Sequence, residues 1–404
     1  MRVFLFGAGA SHSYDRSPSG IRPPLSRGFF EAYNKLGIST DRLVLVGNLV
    51  NYVRDTRGVS PWDFGVWNEN IEDFLTEIDE LICTPDRALA LPFAKRFQAN
   101  AAFTECVFLF ASILNEIQNG PPCTHYSRLV RSLEDDAILI TFNWDTLLDR
   151  VLWETRGWQP SDGYGLQFRM LYSDGWVETL PSSSTSVRLL KLHGSTNWLI
   201  PYYSLNPRTG ERQFANPGVT QEGRPLFCYV QSRERYKTYQ DRAKAGYTPF
   251  SYYYYPPDMP DSFGSGRQGW TILRGFPPSD LPESGEFQTL PRGPVETMPF
   301  IVAPVRHKEH YVLDDAIQET WRRAEEAIAA CGKLTIVGYS FPPTDLRAWD
   351  LLTKACARRS SPLQVEVINP SAGELARRLQ KRLGDAANIT PLTMAFSEYV
   401  EGFA

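Results

Sequence analysis

Val3 to Phe6 is a short, fully apolar run closed by Gly7. That pattern predicts a buried parallel strand feeding a glycine turn. Residues 12 to 27, rich in Ser, Gly and Pro, read as a loop. Helical spacing then takes over: Ile71, Phe74, Leu75, Ile78 and Leu81-Ile82 recur on one face. So do Phe103, Val107, Phe108, Phe110, Ile113 and Leu114. Asn119-Gly120-Pro121-Pro122 breaks this stretch. Strand and helix patterns now alternate. Ala137 to Phe142 predicts a buried strand, Thr146 to Trp153 a helix, and Val187 to Leu192 a strand ending at His193-Gly194. Pro299 to Ala303, Leu334 to Val337 and Val365 to Ile368 predict further strands. The intervening helices are expected at Ala316 to Ala330, Leu346 to Cys356 and Ala372 to Leu383. Such alternation specifies a parallel, doubly wound sheet.

The organisation expected is therefore a Rossmann-like α/β core in three pieces, 1–24, 121–200 and 298–404. A mainly helical insertion fills 25–120 and an irregular, aromatic and Pro-rich insertion fills 201–297. The second insertion is too long for a plain loop. Its Tyr252 to Tyr255 run fits packing or an interface better than base stacking.

Composition narrows the class. The 404 residues are 42% hydrophobic and 22% charged, ordinary values for a globular protein with a sizeable core. A net charge of −4 argues against a dedicated non-specific nucleic-acid binder. The basic runs Arg306-His307-Lys308, Arg322-Arg323 and Arg377-Arg378 with Lys381-Arg382 read as solvated helix faces. The six cysteines contain no C-x-x-C pair, so no zinc ribbon is expected. Scattered cysteines fit a reducing compartment. No run of 18 apolar residues occurs, so no membrane span is expected. Ala8-Gly9-Ala10 imitates a signal-peptidase site, but the apolar run before it is too short for a leader. A cytoplasmic location is the expectation.

In an open parallel sheet the carboxyl ends of the strands share one edge, where ligands bind. Here those ends carry Gly7-Ala8-Gly9-Ala10-Ser11, Asn143-Trp144-Asp145, His193-Gly194-Ser195, Gly338-Tyr339-Ser340 and Asn369. Gly7-x-Gly9 lets backbone approach a diphosphate, with Ser11 near its oxygens. The same glycines also suit a plain tight turn, and His12 stands where the third glycine of the dinucleotide fingerprint would be. Asn143 could place a ribose hydroxyl or a water, and Asp145 could hold a carboxamide; equally, Asp145 could simply start the next helix. His193 ends an apolar strand, where many histidines are only structural hydrogen-bonders, yet its intrinsic pKa suits a general base. Gly338, Ser340 and Asn369 suit adenosine contacts or ordinary turn chemistry. Asp345 reads as a helix N-terminal charge.

Taken in order, Gly7–Ser11, Thr141–Asp145, His193–Ser195, Gly338–Ser340 and Asn369 resemble the sirtuin superfamily. They look most like the sirtuin-like NAD hydrolases of bacterial anti-phage defence. The resemblance covers the α/β core and neither insertion. It implies NAD as substrate and no metal. Asn143 and His193 would be the catalytic pair, and Asp145 would contact nicotinamide. Gly7, Ala8, Gly9 and Ser11 would face the diphosphate and ribose, and Thr141 would also belong to the cofactor site. Gly338, Ser340 and Asn369 would face the adenosine side.

The chain departs from the protein deacylases of that family. Phe142 stands where they carry Gln, the four-cysteine zinc module is missing, and a longer loop is reduced to Gly20-Ile21-Arg22-Pro23-Pro24. Water is therefore expected as the acceptor. The rival readings are an NAD-dependent deacylase and a non-catalytic NAD or ADP-ribose sensor beside an ATPase. By the same resemblance a homo-oligomer is expected, with a HerA-type ATPase or an Argonaute-like protein as partner. No membrane or direct nucleic-acid contact is expected. Residues 201–297 or an assembly interface would gate the site.

Overall fold

The computed structural model describes residues 1–17, 19–36, 47–64, 66–83, 91–118, 120–173, 176–179, 187–206, 212–214, 224–231, 297–305, 315–342 and 345–403. Tyr252–Tyr255, most of the 201–297 segment and the Arg306-His307-Lys308 run lie outside them. In chain order the strands are β1 (Arg2–Phe6), β2 (Ile138–Thr141), β3 (Met170–Ser173), β4 (Trp176–Glu178), β5 (Arg188–Lys191), β6 (Gly194–Pro201), β7 (Tyr203–Leu205), β8 (Arg212–Phe214), β9 (Phe227–Gln231), β10 (Thr297–Ile301), β11 (Lys333–Val337), β12 (Leu363–Ile368) and β13 (Ala387–Leu392).

Six of them form one sheet in the order β13-β12-β11-β1-β2-β5, with every neighbouring pair parallel. This is a Rossmann-like α/β sheet. From β1 the chain steps outward through β2 and β5, then returns to the other side of β1 and steps outward through β11, β12 and β13. The direction of winding reverses at β1, so a crevice opens where the loops after β1, β2 and β11 part. β1 sits at the centre because Val3 to Phe6 are all buried. At the rim, β13 alternates in exposure and carries Pro391, which an edge strand tolerates and a central one does not.

The second sheet runs β10-β6-β9-β3-β4. Here two expectations are corrected. The strand anticipated at Pro299 to Ala303 pairs antiparallel with β6 and takes no part in the parallel sheet. The chain after His193, read as a strand-end loop, runs straight into β6, whose eight residues are all buried. The turn between them depends on Gly194 at φ +76°, where a Cβ would lie 2.1 Å from the Phe300 carbonyl oxygen. Polar Ser195, Thr196 and Asn197 are buried in β6 because each finds a partner.

The helices within 25–120 share one buried cluster with the α/β core. Phe30, Phe64, Trp67 and Phe74 form an aromatic knot inside them. The Phe93–Gln118 helix is long and apolar enough to cross a membrane, yet it packs along the Gly47–Arg57 and Ile71–Cys83 helices and against β6 and β10. Gln118 at its end ties it to the core. The Gln118 Oε1 accepts the Thr146 N–H at 2.7 Å, at the start of the Leu147–Arg156 helix.

The last helix, Phe396–Glu401, seats Phe396 against Phe6 and Tyr126, with His125 6.4 Å away edge-on. Burial pushes the His125 imidazole below its ordinary 6.5. The folded state thus favours neutral His125. Its contribution to stability is present above 6.5 and is lost as pH falls through the depressed folded value. A melting-temperature profile against pH should show this acid-side loss, and His125→Gln should flatten it.

Candidate active site

The crevice at the sheet's switch point holds a cavity of about 540 Å³. Its walls come from the loops after β1, β2, β5, β11 and β12, from the helical insertion through Phe29, Phe110 and Leu114, and from Ala395–Ser397. The loops after β1 and β11 touch at backbone distance. The Gly9 N–H donates to the Gly338 carbonyl at 2.9 Å, and a Cβ on Gly9 would lie 2.8 Å from that oxygen. A Cβ on Gly7 would strike Tyr339 at 2.5 Å. Gly338 itself stands at φ +61°. These glycines let two loops close against each other, which is the tight-turn role.

Asn143 is held from behind. Its Nδ2 donates to the Gly7 carbonyl at 2.9 Å and to Ser11 Oγ at 2.8 Å, and its own N–H donates to Thr141 Oγ1 at 3.0 Å. A carbonyl only accepts, so the Gly7 bond fixes which end of the amide is nitrogen. The Oδ1 is left as the acceptor end of a side chain that lines the cavity. Gly7 and Thr141, expected to contact the dinucleotide, do not line the cavity; they hold Asn143 in place. Ala8, Gly9 and Ser11 do line it.

Asp145 also lines the cavity, and its Oδ1 accepts the Leu147 N–H at 3.1 Å. It therefore does start the following helix while facing the site. Burial pushes its carboxyl up, while the Lys191 ammonium, the Ser11 hydroxyl and the Leu147 N–H pull it down. Lys191 is fully buried. It donates to the Asp145 carbonyl at 2.5 Å and to Asp149 Oδ2 at 3.1 Å. Asp149 also takes the Tyr164 hydroxyl; Asn197 donates to Tyr164 at 3.2 Å, and Ser195 donates to Asn197 at 2.6 Å. This chain of buried polar groups locks the loop after β2 to β5 and β6.

His193 is 5% exposed and sits among the rings of Phe142, Trp144 and Trp321 at centroid distances of 5.1, 6.3 and 6.0 Å. Its Nε2 lies 3.8 Å from Asp345 Oδ2. Phe142 in turn stacks on Tyr339 at 4.1 Å and 11°. Gly338, Ser340 and Asn369 line the far side of the same cavity. Asn369 Oδ1 accepts the Ser371 N–H at 2.9 Å, and Arg378 donates to the Ser340 carbonyl at 3.2 Å. Turn chemistry thus coexists with their place at the site.

Asn143, Asp145 and His193 therefore share one cavity with Ala8, Gly9, Ser11, Gly338, Ser340 and Asn369. Sequence reasoning missed Lys191 and Trp321, which do not line the cavity but support residues that do: Lys191 donates to the Asp145 carbonyl and the Trp321 ring packs near His193. Lys191 carries a readable signal, since a lysine inside the apolar run Leu189–Leu192 must find a buried counter-charge. Trp321 carries none; its role depends on which elements become neighbours, while Tyr339, named only within the Gly338-Tyr339-Ser340 turn, lines the cavity. No group of three or more His, Cys, Asp or Glu able to hold a metal occurs among the described residues. Among the described residues, Cys106, Cys123, Cys228, Cys331 and Cys356 are buried and form no disulfide.

No protein-family model matches the chain, and no curated protein matches it. Among solved structures it is similar to a Sir2 protein in complex with an inhibitor, 2′-O-acetyl-ADP-ribose and a deacetylated p53 peptide. That similarity has 12% identity and a TM-score of 0.34, covering 100% of this chain and 91% of the other. A second, from work on the mechanism and regulation of Sir2 enzymes, has 13% identity and a TM-score of 0.32, covering 100% and 89%. TM-scores this low decide nothing about activity, and the fold class stands on the chain's own strand order: a six-stranded, parallel, Rossmann-like α/β sheet.

Proposed function

We propose that the chain is an NAD+ glycohydrolase, cleaving the nicotinamide–ribose bond to give nicotinamide and ADP-ribose. One observation carries this reading: Asn143, Asp145 and His193, from two strands of the sheet, line one cavity with the glycine loops after β1 and β11. The cavity's size falls in the range of roughly 300–1,000 Å³ that holds cofactor-sized ligands. Motif order supports it too, since the same loops resemble those of sirtuin-like NAD hydrolases.

NAD is the substrate. Its glycosidic C–N bond breaks through an oxocarbenium-like transition state, so the protein must orient the dinucleotide, stabilise developing charge and deliver water. Asp145 takes the carboxamide of nicotinamide. Asn143 presents Oδ1 to the ribose hydroxyl or water, because its nitrogen is already committed to Gly7 and Ser11. His193 accepts the proton. Nicotinamide leaves with the bonding pair as a neutral molecule.

Water, not acyl-lysine, is the acceptor in this reading. The test is product analysis with NAD, with and without an acetyl-lysine peptide. ADP-ribose in both reactions supports hydrolysis; O-acetyl-ADP-ribose that depends on the peptide makes the chain a deacylase instead. The further expectations of NAD depletion in anti-phage defence, a homo-oligomer and a HerA-type ATPase or Argonaute-like partner rest on the sequence resemblance alone, and that of a cytoplasmic location on composition. Sizing of the purified protein and co-purification from its native operon test them.

A further inference from the structure

Asp345 starts the Leu346–Ala357 helix, its Oδ1 accepting the Ala348 N–H at 3.4 Å. That role needs no burial, because exposed carboxylates cap helices as well. Yet Asp345 is 5% exposed, and its other oxygen is turned into the active-site cavity. Oδ2 accepts the Tyr339 hydroxyl at 2.7 Å and stands 3.8 Å from His193 Nε2. The carboxylate is thus fixed from two sides before it meets the imidazole. Tyr339 is fixed in turn by its stack on Phe142. Phe341, two residues on, is held at φ +49°, a costly conformation for a bulky residue.

We infer that Asp345 is the positioning residue of His193: its carboxylate orients the imidazole and stabilises the imidazolium formed during bond cleavage. This rests on the glycosidic cleavage proposed above. As the C1′–N bond breaks, its electron pair leaves with nicotinamide and a water oxygen bonds to C1′. The water's proton passes to His193, and the imidazolium later releases it to solvent. A fixed anion beside the ring lowers the energy of the protonated state, and hence of the transition state leading to it. At 3.8 Å the pair is an ion-pair contact that gains its full value only when His193 is charged.

Other charged or titratable groups surround the ring. Tyr339 gives its hydroxyl to Asp345, and burial holds that hydroxyl well above its ordinary range. Asp145 and Glu72 stand on the cavity wall. The Arg347 guanidinium lies 4.3 Å over the Trp321 ring. Lys191 is engaged with Asp149 and the Asp145 carbonyl.

The experiment compares wild type with Asp345→Asn, which keeps the side chain's size and an oxygen for the Ala348 N–H but removes the charge, an amide nitrogen taking the place of the oxygen that faces Tyr339 and His193. The His193 ring titration is followed by NMR with labelled histidine, and NAD cleavage is followed against pH. Expected are a His193 midpoint lower in Asp345→Asn than in wild type and an acid limb of kcat displaced the same way. The kcat should fall roughly 10- to 10³-fold with little change in KM for NAD. Asp345→Glu, which restores the charge, should recover part of the rate. An unchanged His193 midpoint overturns the inference, whether or not NAD is cleaved. If wild type releases no nicotinamide, the proposed activity fails, while the NMR comparison still decides the Asp345–His193 pairing. If Asp345→Asn unfolds, Tyr339→Phe, which frees the carboxylate oxygen facing His193, takes its place. It should shift the same midpoint, and no shift overturns the inference.

Discussion

His193→Ala is expected to lower nicotinamide release roughly 10²–10⁴-fold while the protein stays folded. The expectation follows from where the imidazole sits. It is buried against Phe142, Trp144 and Trp321, and it faces the same cavity as Asn143 and Asp145. Removing it takes away the proton acceptor without touching the glycine loops or Ser11. The KM for NAD should therefore move far less than kcat. The vacated space is bounded by aromatic rings that remain packed on Tyr339 and Phe110, so the melting temperature should fall only modestly. Wild-type turnover in a folded His193→Ala protein would remove this residue from the mechanism.

Lys191→Met is expected to cost about 3–5 kcal/mol of stability, the usual consequence of stripping one partner from a buried ion pair. Lys191 and Asp149 are both fully buried, 3.1 Å apart. Without the ammonium, the Asp149 carboxylate keeps the Tyr164 hydroxyl but loses its counter-charge. The Asp145 carbonyl also loses its donor. Chemical denaturation reads the loss. A double variant, Lys191→Met with Asp149→Leu, should regain much of the stability, because an apolar pair of similar volume avoids the desolvation cost. It should regain less of the activity, since the loop carrying Asp145 stays unanchored. A Lys191→Met protein as stable as wild type would show that the buried chain of polar groups does not hold the site together.

The parts of the fold that were legible in the sequence are those where one physical signal dominates. Val3–Phe6, Ile138–Thr141 and Leu334–Val337 are largely apolar runs, and Leu363–Ile368, read from Val365 onward, alternates apolar with polar positions; the four form the centre of the parallel sheet. The amphipathic helices Asp315–Ala330, Leu346–Ala357 and Ala372–Leu383 read equally well. β6 does not, because its first residues are Ser195, Thr196 and Asn197, whose burial depends on partners far along the chain. β13 hides behind its alternating exposure and Pro391, features of an edge. β10 looks like any apolar strand; only its pairing with β6 makes it antiparallel. At the site, the strand-end residues are legible because a parallel sheet gathers its carboxyl ends. Gly7 and Thr141 show the limit of that logic, since a residue at the right end of the right strand can hydrogen-bond a neighbouring loop without lining the cavity.

The same limit applies to Asp345. Read along the chain it starts a helix, and it does so. Its nearness to His193 arises only because β11 and β5 lie on opposite sides of β1 and β2 in one sheet, with the loop after β11 folding back across the crevice.

Incubating the purified protein with NAD and resolving the products by chromatography, beside an Asn143→Ala control, reaches the core of the matter. Equal amounts of nicotinamide and ADP-ribose from wild type are predicted, with turnover at least roughly 10²-fold lower once the amide anchored by Gly7 and Ser11 is gone. Intact NAD after prolonged incubation of the wild-type protein, or equal cleavage by the Asn143→Ala variant, would contradict it.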